Sequence, residues 1–331
     1  MKRSGVGFST IGFSCGFFGG GDPTHAAVNL KGDGSLEVLM GTIDIGQGCK
    51  TALSQIAAEE MGVPFDSIIF TNKDTDVTPY DMGTLASRVT FVGGNALIKA
   101  CADLKQKIRS FAAKRMEAEE SMIEISGSKA YVANDSEKSM SFADIGAEAI
   151  SKASFLSGNG AYVPEGPKAP NPKTGAQPFL AAAPFGVCIV EIEVDTGTGV
   201  IEILKNIHVY EIGKAINPLI CKGQIHGGAV MGIGMALSED AHPYWPSPDN
   251  PAASLGDYVI PTAADIPRDV KCEIIEIPHP DGPYGAKGFS EMGCNAEVPA
   301  VTMAVYDAIG VWIKQFPITP ETVLRALEEK K

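Results

Sequence analysis

Along this chain the spacing of apolar positions switches repeatedly between two and about 3.6, and each switch marks a predicted element. Gly5 to Phe13 alternates as a strand. His25 to Leu30 and Ser35 to Thr42 alternate on either side of a Lys31-Gly32-Asp33-Gly34 turn, a hairpin signal. From Thr51 to Met61 the period lengthens. Leu53, Ile56, Ala57 and Met61 fall at i, i+3, i+4 and i+8, one apolar stripe of a helix. Ser67 to Asn72 predicts a short strand. A polar loop over Asp74 to Ala86 then precedes a long helix from about Ser87 to Glu120.

Met122 to Val132 predicts a hairpin around Gly127, and Ser141 to Ala153 a helix with Ser141 as its cap. Residues 154–180, rich in Pro, Gly and Asn, carry no period and read as a boundary or surface excursion. Val187 to Val194 and Val200 to Leu204 alternate around Asp195-Thr196-Gly197-Thr198-Gly199. Pro218 to Leu237 predicts a glycine-rich helix, Cys272 to Ile277 a strand, and Glu297 to Ile313 an apolar helix. Thr319 can cap a last helix with Pro320 at its first position. No short-period repeat is visible, which excludes solenoids. The predicted class is α+β, with two α/β subdomains over residues 1–155 and 156–331.

Composition narrows the function classes. Hydrophobic residues make up 44% and charged residues 20%, so wholesale disorder is excluded. With 27 basic against 40 acidic residues the formal net charge is −13, which disfavours nucleic acid and acidic lipid as ligands. No apolar run reaches the length of about 18 residues that a membrane span needs, and the chain reads as a soluble protein. Cys15, Cys49, Cys101, Cys188, Cys221, Cys272 and Cys294 show no C-x-x-C spacing, and the five histidines show no H-x-x-x-H pattern. Neither an iron–sulfur cluster nor a protein-ligated metal is expected, so a metal would arrive inside a cofactor. The odd cysteine count, and a start (Met1 to Gly5) without an apolar core, point to reduced thiols in the cytoplasm.

Four glycine-bearing segments could carry chemistry. Asp44-Ile45-Gly46-Gln47-Gly48 directly precedes a helix, so its backbone N–H groups could cradle an anion; an ordinary tight turn is the plain alternative. It matches neither a dinucleotide fingerprint nor a P-loop. Gly83-Thr84-Leu85-Ala86-Ser87-Arg88 offers small residues and hydroxyls, or simply a helix cap at Ser87. Gly223 to Gly228, followed by Met231-Gly232-Ile233-Gly234, lowers helix propensity by about 1 kcal/mol per glycine; close helix packing and cofactor approach both explain it. In Gly285 to Gly293, Glu291 lies between glycines and apolar residues, surroundings in which a carboxylate serves as a general base or as a solvated helix cap.

In order along the chain, these motifs resemble the molybdenum-binding subunit of the xanthine dehydrogenase/aldehyde oxidase family of molybdenum hydroxylases. The resemblance runs from Gly5 to Leu327. It rests on Asp44 to Gly48 with Gln55 to Glu59, Asp74-Thr75-Asp76, Gly83 to Arg88, Val194 to Gly197, Ile216-Asn217-Pro218, Gly223 to Gly228 and Lys287 to Glu291. Only the second half of a usual subunit is matched. Gly16 to Gly21 looks like the phenylalanine–glycine loop of the first half but lies too close to Gly46 to be it. The pattern is that of a split large subunit, as in nicotinate dehydrogenase.

The resemblance implies a molybdopterin, as its cytosine dinucleotide, with molybdenum bearing a sulfido or selenido ligand. Cofactor contact is carried onto Gly46, Gln47 and Gly48, onto Thr84, Leu85, Ala86, Ser87, Arg88 and Val89, onto Met231 and onto Lys287, Gly288 and Ser290. Met231 stands where a glutamine is common, Ser290 replaces the usual glycine, and Glu211 replaces an aspartate. Glu291 is implied as the catalytic base: it takes a proton from a molybdenum-bound hydroxide derived from water, which attacks an electron-poor carbon while hydride passes to the sulfido or selenido ligand. Fe–S and FAD centres, and a larger subunit with the other half of the site, are implied as partners. The implied activity is hydroxylation of a nicotinate-like N-heterocycle. Purine, xanthine or aldehyde oxidation, or a non-catalytic subunit that completes the cofactor pocket, stand as alternatives.

Overall fold

A computed structural model describes the chain except residues 17–20, 165–170, 177–181, 245, 246, 250, 251, 253, 268 and 331. Most of the run from Gly16 to Gly21, and much of the stretch 154–180, therefore lie outside the described residues. The first elements are β1 (Lys2–Gly12), β2 (Thr24–Leu30), β3 (Leu36–Met40), α1 (Cys49–Met61) and β4 (Ile68–Thr71). A π turn over Val89–Gly93 opens α2 (Gly94–Met116). Then come β5 (Ile123–Ser126), β6 (Lys129–Val132), β7 (Asp135–Ser141), α3 (Phe142–Ser151) and β8 (Ser157–Tyr162). The remainder is β9 (Phe185–Asp195), β10 (Ile201–Glu211), α4 (Pro218–Leu237), β11 (Asp269–Ile275), α5 (Met292–Ile309) and α6 (Pro320–Glu329).

The α+β class holds, and the chain forms two compact units, but each is discontinuous in sequence. The first unit comprises Met1–Phe13, Pro184–Ile277 and Phe289–Lys331, and the second Ser14–Ala183 and Pro278–Gly288. The division thus differs from the expected one at 155/156. The physical reason is strand pairing. β1 is antiparallel to β9 along its whole length, from Lys2 opposite Asp195 to Gly12 opposite Phe185. β8, at the expected start of the later block, pairs instead with β2.

In the first unit the sheet order is β1-β9-β10-β11, and only the β10–β11 pair is parallel. Helix α5 packs on this sheet at very short range. A Cβ on Gly5 would fall 2.2 Å from the Ala304 carbonyl oxygen, and one on Gly7 2.0 Å from that of Ala300. Val190, Ile192, Val194, Val301 and Val305 fill the core around this contact. In the second unit the sheet order is β4-β3-β2-β8. Gly158 and Gly160 bring β8 as close to α2, each 2.2 Å by the same measure from the carbonyls of Ala100 and Ala96. A three-stranded sheet β5-β6-β7 completes the second unit.

Local signals account for several boundaries. Ser141 and Asp144 form a reciprocal capping box at α3. Thr319 caps α6 through the Thr322 amide, and Asn217 caps α4 through the Ile220 amide, with Pro at the first position in both helices. α2 stops at Met116, earlier than predicted, because Glu117 turns left-handed at φ 49°. α5 begins at Met292 instead of Glu297, since packing of Gly293 against Gly228 overrides the weak helix propensity of that segment. β7 was not predicted: its Asp135–Ser139 stretch is exposed throughout and shows no apolar alternation. Among the described residues no helix is long and apolar enough to cross a membrane.

Candidate functional site

In the second unit the loop before α1 is organised by its own acidic side chain. Asp44 accepts from the backbone amides of Gly46 (3.0 Å), Gly48 (3.2 Å) and Lys50 (3.2 Å). The anion cradle expected at Gly46-Gln47-Gly48 is therefore filled by the chain's own carboxylate, which holds the helix N-terminus. Gln47 also folds back. Its Oε1 accepts from the Ile45 amide at 2.7 Å, and its Nε2 donates to the Ile43 carbonyl at 3.1 Å. Gly46 has φ +105°, is exposed, and has no heavy atom within 4 Å of the place a Cβ would take. Its Cα faces open space.

The neighbouring loop is tied to this one through Thr84, whose hydroxyl donates to the Ile43 carbonyl (2.7 Å) and accepts from the Ile43 amide (2.9 Å). Leu85 is exposed, and Ala86 and Ser87 both adopt left-handed backbone at φ 48°. This geometry is uncommon for residues with a Cβ. The N-cap position of the following π turn is Arg88, not Ser87, and Val89 is buried at its start. Such turns recur at functional sites.

The Arg88 side chain takes no outward role, which leaves the cofactor contact expected at this position to the backbone. It is fully buried and spends its donors inside the unit. Nε donates to Asp22 (2.5 Å), Nη1 to both oxygens of Asp81 (3.0 Å each) and to the Gly83 carbonyl (3.0 Å). Nη2 donates to the Pro23 carbonyl (3.1 Å) and to the Thr24 hydroxyl. Arg88 is an internal clamp of the loop, balanced by two buried carboxylates.

Gly288 packs its backbone on the same left-handed turn. Its amide and carbonyl both meet the Cys15 thiol (3.2 and 3.0 Å), and the Gly16 amide donates to the Ala86 carbonyl at 2.8 Å. Lys287 extends its ammonium to the Ala183 carbonyl at 3.0 Å. Within this unit the structure thus brings together Gly46 to Gly48, Thr84 to Val89, and Lys287 with Gly288. Their side chains mostly shape the loops, while the exposed residues Gly46 and Leu85 are what a ligand could meet.

The first unit carries Ser290, Glu291 and Met231. Phe289 to Met292 is a tight turn closed by the Met292 amide on the Phe289 carbonyl (2.9 Å). Ser290 stands outside the left-handed region, so the backbone accepts its Cβ. Glu291 is half-buried at the N-terminal end of α5, where the helix dipole favours a negative charge. Its carbonyl accepts from the Cys294 thiol at 3.3 Å, and burial followed by the Glu291 charge pushes that thiol up.

The glycines of α4 divide by face. Gly228 and Gly232 meet Gly293 and Glu297 of α5, which is close helix packing. Gly223 and Gly227 meet nothing within 4 Å and line an exposed stripe with Leu219 (81%), Met231 (59%) and Met235 (48%). Met231 is thus a surface residue of this unit.

The sequence reading missed a polar cluster in the first unit's core. Cys188 lies directly opposite His208 in the β9–β10 pair, and α5 brings in Glu297. Glu297 accepts from Cys188 Sγ (3.1 Å) and Asn206 Nδ2 (2.8 Å), and its Oε2 lies 3.2 Å from His208 Nε2. His208 Nδ1 meets the Tyr210 hydroxyl at 2.8 Å, and that hydroxyl reaches the Met292 carbonyl at 3.4 Å. Polar residues at alternate positions 206, 208 and 210 of an otherwise core-facing strand face were the signal available.

A family model described as a molybdopterin cofactor-binding domain matches residues 1–267. The chain belongs to this family of molybdenum hydroxylases. It is 31% identical over 311 residues to "Probable hypoxanthine oxidase XdhD" of Escherichia coli (strain K12), covering 93% of this chain and 31% of that protein. It is 32% identical over 337 residues to "6-hydroxypseudooxynicotine dehydrogenase complex subunit gamma" of Paenarthrobacter nicotinovorans, covering 97% and 39%. The crystal structure of quinoline 2-oxidoreductase from Pseudomonas putida 86 matches with a TM-score of 0.84 at 28% identity, over 99% of this chain and 42% of that one. This molybdenum hydroxylase chain therefore spans about a third to two fifths of the length of these relatives. Its loops fit a cofactor gripped through backbone groups. They do not fit one gripped by Arg88 or by the amides that Asp44 already holds.

Proposed function

We propose that this chain is the molybdopterin-binding, base-bearing piece of a heteromeric molybdenum hydroxylase that oxidises an electron-poor carbon of an N-heterocycle, with water as the oxygen source. The observation that carries the reading is Glu291 at the N-terminus of α5 in a chain of this family. Backbone at Leu85 to Ser87 and in the Lys287–Ser290 segment holds the cofactor, a molybdopterin cytosine dinucleotide with a sulfido or selenido ligand on molybdenum, and the open Cα face of Gly46 lets it approach. When bound, that group supplies the Lewis acid and electron sink that side chains lack. Glu291 accepts the proton that activates the oxygen nucleophile.

A larger subunit supplies the rest of the site, and Fe–S and FAD subunits carry electrons away, in the cytoplasm. Exposed apolar side chains support a covered surface: Ile43, Ile45 and Leu85 in the second unit, and Leu219, Met231 and Met235 in the first. The heterocycle is nicotinate-like in this reading. A purine is the second reading, favoured by the 31% identity to the hypoxanthine oxidase-like relative. Purification of the native complex, with analysis of metal and pterin and a dye-reduction screen of nicotinate, hypoxanthine, xanthine and aldehydes, tests both. Dye reduction with nicotinate alone supports the first. Activity confined to hypoxanthine or xanthine replaces it with the second, and a stable lone chain with full molybdenum content overturns the heteromer.

A further inference from the structure

We infer that Cys188, His208 and Glu297 bind a divalent metal ion, zinc, in the core of the first unit, as a structural site separate from any pterin cofactor. The three ligand atoms form a small triangle: Cys188 Sγ to Glu297 Oε2 3.1 Å, His208 Nε2 to Glu297 Oε2 3.2 Å, and Cys188 Sγ to His208 Nε2 3.9 Å. The point equidistant from three corners so spaced lies about 2.0 Å from each, and zinc bonds to nitrogen or oxygen at about 2.0–2.1 Å and to sulfur at about 2.3 Å. Displacing the ion out of the plane of the triangle, as tetrahedral coordination requires, accommodates the longer sulfur bond while keeping the nitrogen and oxygen bonds at about 2.0–2.1 Å.

The surroundings match a metal centre as well. His208 has its second nitrogen held by the Tyr210 hydroxyl at 2.8 Å, and Glu297 has its second oxygen held by Asn206 Nδ2 at 2.8 Å. Orienting partners of this kind fix ring and carboxylate geometry around bound metals. Asn206 Oδ1, 3.8 Å from Cys188 Sγ, is a further oxygen donor beside the triangle. A thiolate and a carboxylate together balance a divalent charge, which offsets the large penalty of a buried anion. On metal binding the thiol proton leaves to solvent, Nε2 offers its lone pair to the metal, and the imidazole N–H sits at Nδ1. It then donates to Tyr210, whose hydroxyl donates on to the Met292 carbonyl.

Cys188, Asn206, His208 and Glu297 are all fully buried, so the ion enters as the chain folds. It would staple β9, β10 and α5 together. Elemental analysis of the purified full-length chain in its native complex, after dialysis against a chelator, tests this. The expected result is about one zinc ion per chain, with sulfur among its neighbours in zinc-edge X-ray absorption, falling at least tenfold in Cys188→Ala. Less than about 0.1 zinc per folded wild-type chain, after growth in zinc-supplemented medium, overturns the proposal. So does zinc content that Cys188→Ala leaves unchanged, or a zinc spectrum without sulfur.

Discussion

The carbonyl oxygen of Ser87 lies 1.6 Å from the place where a Cβ on Gly288 would begin. Two segments far apart in sequence are thus in direct backbone contact, and only glycine permits it. Ala86 and Ser87 hold their left-handed turn against that surface. In Gly288→Ala one of the two backbones has to move. We expect a loss of roughly 1–3 kcal/mol in stability and a fall in molybdenum content of the complex. Thermal melting and metal analysis of one preparation check this; unchanged values in both would show that the contact shapes nothing.

Arg88 gives a prediction of opposite character to a cofactor ligand. Replacing it by Met leaves Asp22 and Asp81 buried without their counter-charge, which typically costs about 3–5 kcal/mol. Urea unfolding of Arg88→Met should show that loss directly. Normal stability with selectively weakened cofactor binding would show that the side chain serves the cofactor and not the loop.

Stability at alkaline pH follows from two buried thiols of the second unit. Burial, helped by the nearby charges of Asp44 and Glu60, pushes Cys49 and Cys101 up from 9.0 to about 12. The unfolded chain loses these protons from pH 9 upward while the folded chain keeps them. Their contribution is therefore complete below pH 9 and is lost as pH rises toward 12. Each thiol removes up to about 1.4 kcal/mol per pH unit in that window. Urea unfolding of wild type and Cys101→Ala at pH 8 and pH 10 isolates one thiol: the gap between them should narrow by about that amount. A gap independent of pH would contradict the assignment.

How much of this was legible in the sequence depended on how local each cause is. The capping box at Ser141, the Thr319 cap and the stripe on α1 are set by neighbours within a turn, and they appear as read. The two-unit division was not, because β1 finds β9 across more than half the chain. The roles of Arg88 and Asp44 were hidden although several of their partners are near in sequence, Gly46 to Lys50 for Asp44 and Asp81 for Arg88. A motif can say that a residue belongs to a loop, but only packing decides whether its charge faces a ligand or its own backbone. Glu297 looked like an ordinary helix position. Its partners Cys188 and His208 meet it only through strand register.

Glu291 tests the central claim most directly. Glu291→Gln keeps the shape of the side chain and removes its ability to accept a proton, and a general base contributes about 10²–10⁴-fold to a rate. The measurement is steady-state heterocycle oxidation by the purified complex with an artificial electron acceptor, beside molybdenum analysis of the same sample. The account predicts that turnover falls by at least about 10²-fold with molybdenum content and assembly unchanged. Near-normal turnover in the Gln variant, or loss of its molybdenum, would contradict it.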